Sequence, residues 1–182
     1  MIRDANSAGM ALLLKLSGQL TLGMKQLFVN ENLYAASALL RQTVELEYLL
    51  FLGYQDIDTI GTWYAADPQS LRNQFTPQKM RNRSGGLFRD QEYWTHCELG
   101  GHPNPKAAIL FRQLGDTNAI CFALPDAVHH ARRLWNSVKF TLPRMHSKEL
   151  GVEKYADLID VAFASWEAHE DPTILSYDGL ST

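Results

Sequence analysis

The chain is poor in cysteine, in β-branched aliphatic residues and in long apolar runs, and each shortage closes a route. Two cysteines, Cys97 and Cys121, are too few for a disulfide framework and read as free thiols of a reducing compartment. No segment alternates strictly between apolar and polar residues, and valine and isoleucine are sparse, so little is available for a sheet. The longest apolar stretch, Tyr48 to Tyr54, falls far short of the roughly 20 residues a membrane span needs. Met1 to Met10 lacks a charged start followed by an apolar run, so no secretory leader is expected and the cytoplasm is the expected location. Charge of either sign is also limited. With 17 Lys and Arg against 20 Asp and Glu the net charge is -3, so a polyanion would need a local basic patch.

Such a patch exists in the middle of the chain. Between Pro68 and Arg112 stand Arg72, Lys79, Arg81, Arg83, Arg89, Lys106 and Arg112, against the acids Asp90, Glu92 and Glu98. After His146 the balance reverses, with Lys148 and Lys154 the only bases among many acids. An anionic ligand is expected at the basic middle.

What the chain has in plenty is helical periodicity. Leu12, Leu13, Leu16, Leu20, Met24, Leu27 and Phe28 recur at three- and four-residue steps, which predicts a helix over Ala5 to Asn30. Asn30-Glu31-Asn32 breaks it, and a second helix runs from about Leu33 to Tyr54. From Val44 to Leu52 this helix is apolar over most of its surface, as the central helix of a bundle would be. Arg41 and Glu45 interrupt it at i and i+4 and are expected to form a half-buried structural ion pair. Glu47 faces elsewhere and is expected to be solvated. A short helix is expected within Asp56 to Asp67, and another after Thr76 as N-cap with Pro77 at the first position. Ser84-Gly85-Gly86 closes that segment as the expected loop. Helical pattern returns at Phe88 to Leu99 and at Pro105 to Leu114. A long region from Asp116 to Leu142 follows, which Pro125 is expected to break or kink. A last amphipathic helix spans Glu153 to about His169, with Tyr155, Leu158, Ile159, Ala162, Phe163 and Trp166 on its face. These elements predict an all-α single-domain helical bundle over residues 1–170, with 171–182 as a loose C-terminal tail.

Groups capable of chemistry concentrate in Arg89 to Lys106. Metal binding is disfavoured within it. Glu98 and His102 are spaced i, i+4, but Gly100-Gly101 lies between them, and the spacing fits neither a zinc pattern nor a di-iron bundle motif. No metal and no cofactor are therefore expected. Cys97 next to His96 is not a thiol–imidazole pair, because neighbours on a helix point about 100° apart. Arg89 and His96 lie close to two turns apart and share a face. A histidine there can take a proton from a ribose 2′-hydroxyl while an arginine stabilises the phosphate charge. His102-Pro103-Asn104-Pro105 forms a stiff turn in which Asn104 can cap the following helix, with Lys106 at its start.

The words Leu40-Arg41-Gln42-x-x-Glu45, Glu92-Tyr93-Trp94 and Cys97-Glu98-Leu99-x-x-His102-Pro103 resemble those of helical bacterial proteins related to the HEPN superfamily. The similar region covers about Leu33 to Lys106. The resemblance implies an HEPN-like bundle that dimerises, and an RNase of a toxin–antitoxin or defence system that needs no metal. On that reading Arg89 stabilises the scissile phosphate, and His96 acts as base or acid, with His102 the second candidate. Arg81, Arg83, Asn104 and Lys106 would bind the RNA. The alternative is a non-enzymatic interaction domain that dimerises through its helices. A third reading is a small-molecule pocket lined by Trp63, Trp94 and the histidines.

Overall fold

The computed structural model describes residues 4–111, 117–145 and 151–169; the side chains of 117–122 and of Glu153 are outside the description. The described residues are helical and contain no strand. The elements are α1 (Ala5–Val29), α2 (Leu33–Gln55), α3 (Asp58–Tyr64), α4 (Pro68–Gln74), α5 (Pro77–Arg83), α6 (Asp90–His96), α7 (Thr117–Thr141) and α8 (Glu153–His169). A π-helical turn (Cys97–Gly101) follows α6, and 3-10 turns occupy Pro105–Phe111 and Leu142–Arg144.

Local chemistry explains most of the starts. The carboxylate of Asp4 accepts from the amide of Ser7 at 2.8 Å, and Asn32 accepts from Ala35 at 3.2 Å. Asp67 caps α4 and Thr76 caps α5, each with a proline at the first helical position. Between α1 and α2 the chain reverses through Glu31, whose φ is 54°.

The apolar α2 is the axis of the bundle. Leu40, Val44, Tyr48, Leu49 and Leu50 are all buried on it. Its neighbours are α1, which supplies Met10 and Leu13, and α7, which supplies Leu134 and Val138. Fully burying a side chain of this size contributes about 1.5–3 kcal/mol. Tyr48 also packs on Phe88, with ring centres 4.3 Å apart.

Four expectations are corrected. The α-helix of α6 ends at His96, not near Leu99, and passes into the π turn. A Cβ on Gly100 would lie 2.3 Å from the Ser37 carbonyl carbon and 2.4 Å from the Ala38 nitrogen, so here the backbones of the turn and α2 touch. The segment from Pro105 winds as a 3-10 helix to Phe111 rather than an α-helix. Pro125 does not break the long helix; it lies inside α7, which continues through it. The proline removes one ladder bond at a cost of about 3 kcal/mol, and the packing of α7 along α2 offsets it. On α8, Ile159 and Phe163 pack against the core, while Tyr155 and Leu158 are exposed. The expected tail at 171–182, Leu114, Gly115 and the side chain of Cys121 lie outside the described residues.

The glycines give a paired test. Gly100→Ala is expected to destabilise the fold by about 3 kcal/mol or more, because the atoms it meets are backbone. Gly18→Ala meets nothing within 4 Å and should stabilise α1 by up to about 1 kcal/mol. Thermal unfolding followed by circular dichroism measures both, and equal Tm values would refute the account of the turn.

Candidate functional site

Three helices bring ionisable side chains together in the interior. From α2 comes Glu47, only 2% exposed. From α6 come Glu92 and His96, one helical turn apart, with His96 5% exposed. From α7 come Asp126, His130 and Arg133, which share a face by the same three- and four-residue spacing. His130 is 1% exposed and Asp126 is half-exposed.

The contacts form one continuous network. His130 Nδ1 lies 2.6 Å from Glu47 Oε2, and Arg133 Nε lies 2.7 Å from Glu47 Oε1. Arg133 Nη1 continues to Glu92 Oε1 at 3.2 Å. His96 Nδ1 lies 2.8 Å from the backbone carbonyl of Glu92. On their other edges both imidazoles meet one carboxylate. His96 Nε2 is 3.0 Å from Asp126 Oδ2, and His130 Nε2 is 3.4 Å from Asp126 Oδ1. The two rings stand edge to face with centres 4.9 Å apart.

Burial by itself would lower the pKa of His130. The hydrogen bonds to Asp126 and Glu47 outweigh it and push the group up to about 10. Burial also works against the charge of Asp126, yet its bonds to His130 and His96 hold its carboxyl well below the usual carboxylate range.

The network corrects the expectation for Glu47. It is not solvated, because His130 and Arg133 of α7 supply the partners that a buried carboxylate requires.

The residues singled out from the sequence are distributed unevenly around this centre. His96 belongs to it. Arg89 is the N-cap residue of α6 and is exposed. Arg81 is 5% exposed, its guanidinium bonded to Asp90 at 2.8 Å and stacked over the Tyr93 ring at 4.3 Å. Arg83 donates to Thr59 Oγ1 at 3.3 Å. Lys106 binds both carboxylate oxygens of Glu98 at 2.7 Å, and Asn104 accepts from the Lys106 amide at 3.0 Å. His102 is exposed on its turn. Arg41 and Glu45 do pair, at 3.3 Å, and the Tyr93 hydroxyl bridges them at 3.2 Å to each. Of the tryptophans, Trp94 is exposed and Trp63 packs against the core.

Glu47, Asp126, His130 and Arg133 were not singled out as site residues from the sequence. A signal for part of this was present. Glu92 to His96 and Asp126 to His130 repeat the same carboxylate-x-x-x-His spacing in two helical segments. Each pair faces along one helix side, so two such pairs can meet across a helix–helix contact.

Stability should reflect these differences in burial. Glu47→Ala strips partners from His130 and Arg133 and is expected to cost about 3–5 kcal/mol in denaturant unfolding. Glu45→Ala, in a half-exposed pair, is expected to cost at most about 1 kcal/mol. A similar loss in both would mean that Glu47 is not the keystone of the junction. Compared with family models, with curated protein sequences and with solved structures, the chain finds no match in any of the three.

Proposed function

We propose that the chain is an HEPN-like helical protein that cleaves RNA, and that its working part is the interior cluster at α2, α6 and α7. One observation carries this reading. His96, the histidine on which the motif reading rests, lies 3.0 Å from Asp126, which reaches solvent, and shares that carboxylate with His130. Both nitrogens of His96 are bonded, so the pair would act through Asp126, the member that reaches solvent, with His96 exchanging a proton with it, and a neighbouring arginine can stabilise charge on a phosphate. Arg133 is the arginine of the cluster, bonded to Glu92 and Glu47. Arg89, exposed at the start of α6, keeps the role the resemblance implies for it, stabilising the scissile phosphate. The proposal includes a homodimer, as the resemblance implies, in the cytoplasm, the location expected from the two free thiols.

A second reading, a non-enzymatic interaction domain, is favoured by the burial of His96 and Arg81. Their hydrogen bonds, to Asp126 and to Asp90, tie helices to one another. Tyr155, Leu158 and Val161 on α8, exposed at three-residue steps, would then serve as the surface that meets a partner.

Incubation of the purified protein with total RNA separates the two. The expected result is cleavage by the wild type, with a loss of about 10²–10⁴-fold in His96→Ala and Asp126→Asn. His102→Ala is expected to retain activity. Equal cleavage by wild type and His96→Ala would remove the catalytic assignment. No cleavage by any of them would favour the interaction domain.

A further inference from the structure

The interior cluster has a donor arrangement that acid–base chemistry does not require. Nδ1 of His96 faces a backbone carbonyl, and Nδ1 of His130 faces a carboxylate. Both partners can only accept, so each ring carries a proton at Nδ1. The Nε2 atoms of both rings point at Asp126, across gaps that a proton fills when no ion is present and that a metal ion can take over by displacing it. Three carboxylates, Glu47, Glu92 and Asp126, also converge on the two imidazoles and one guanidinium, Arg133, so the cluster holds the anionic oxygen ligands that a divalent cation takes beside imidazole.

We propose that His96 Nε2, His130 Nε2 and Asp126 bind one divalent first-row transition ion, with Glu92 as the further carboxylate within reach. An ion with bonds of about 2.0–2.1 Å sets tetrahedral donors about 3.3 Å apart. The nitrogen–oxygen separations of 3.0 and 3.4 Å fit that, and the three ligand atoms all lie within 4.8 Å of one another. Glu92 Oε1 stands 3.6 Å from His130 Nε2.

Two imidazoles and carboxylate oxygens select zinc, iron(II) or manganese(II) rather than calcium or magnesium, which take oxygen alone. The Nδ1 bonds are the outer contacts that a metal-binding histidine needs. They hold the tautomer and aim the ring, and Glu47 makes its bond in the carboxylate–histidine–metal form. Asp126 leaves the site open to solvent on one side, so an ion and a water can enter. An ion with an open position can polarise a phosphoryl oxygen or lower the pKa of a bound water. The inference rests on the interior cluster of the proposed function, and in place of metal-free RNA cleavage it gives that cluster a metal.

The test is metal binding by the full chain, stripped with a chelator and dialysed. Titration with Zn²⁺ in a calorimeter is expected to show one tight equivalent, and Co²⁺ to give the visible absorption of a site with nitrogen ligands. His130→Ala and His96→Ala are expected to lose at least 100-fold in affinity. Glu47→Gln, which keeps an acceptor for Nδ1, should lose about 10–100-fold. His102→Ala serves as the exposed-histidine control and should bind as the wild type does. Circular dichroism of each variant identifies loss of the fold, and the wild-type titration decides the proposal even if variants unfold. No tight equivalent of Zn²⁺ and no Co²⁺ band in the folded wild type would overturn it, as would wild-type affinity in folded His96→Ala. Tight binding without RNA cleavage would remove the proposed function and leave the metal site standing.

Discussion

One buried acid organises the junction on which the site is built. Glu47 stands on the most apolar stretch of α2 and is 2% exposed. A carboxylate taken from water there is costly unless charged or hydrogen-bonding partners meet it. Both of its oxygens are met from α7, by His130 and by Arg133. That requirement fixes which face and which turn of α7 lie against α2. With α7 in that register, Arg133 reaches Glu92 and Asp126 reaches His96, so α6 is drawn into the same set of contacts. A shift by one residue along α7 would break every one of these contacts together.

Backbone contact supplies the second constraint. After His96 the chain turns through a π-helical segment in which Gly100 touches the backbone of α2 at Ser37 and Ala38. A side chain at that point would push the end of α6 outward. The turn therefore sets how closely the histidine face of α6 approaches the interior. Gly101 beside it leaves room for the Arg41 side chain, which pairs with Glu45 and the Tyr93 hydroxyl.

The basic middle of the chain takes on a different meaning in three dimensions. Arg81 is folded inward over Tyr93, Arg83 donates to Thr59, and Lys106 is neutralised by Glu98. Arg89 stands exposed at the start of α6. Net charge along a segment thus says little about the charge that faces a ligand, because each guanidinium can find a carboxylate or an aromatic face nearby.

Local pattern was enough for the helices, and for the Arg41–Glu45 pair. Three- and four-residue apolar steps, the cap at Thr76 with Pro77 at the first helical position, and the i, i+4 charge spacing all act within one or two turns of the same chain. They could be read from the sequence for that reason. The π turn at Gly100, the burial of Glu47 and the passage of α7 through Pro125 could not. Each depends on what another helix places opposite it. The candidate site divides in the same way. His96 was visible because it sits in a motif-rich stretch, whereas its partners Asp126 and His130 lie about thirty residues further on. Only packing of α7 against α2 and α6 brings those donors within bonding distance. A buried charge has to be satisfied by whichever side chain the fold delivers, whatever its distance along the chain.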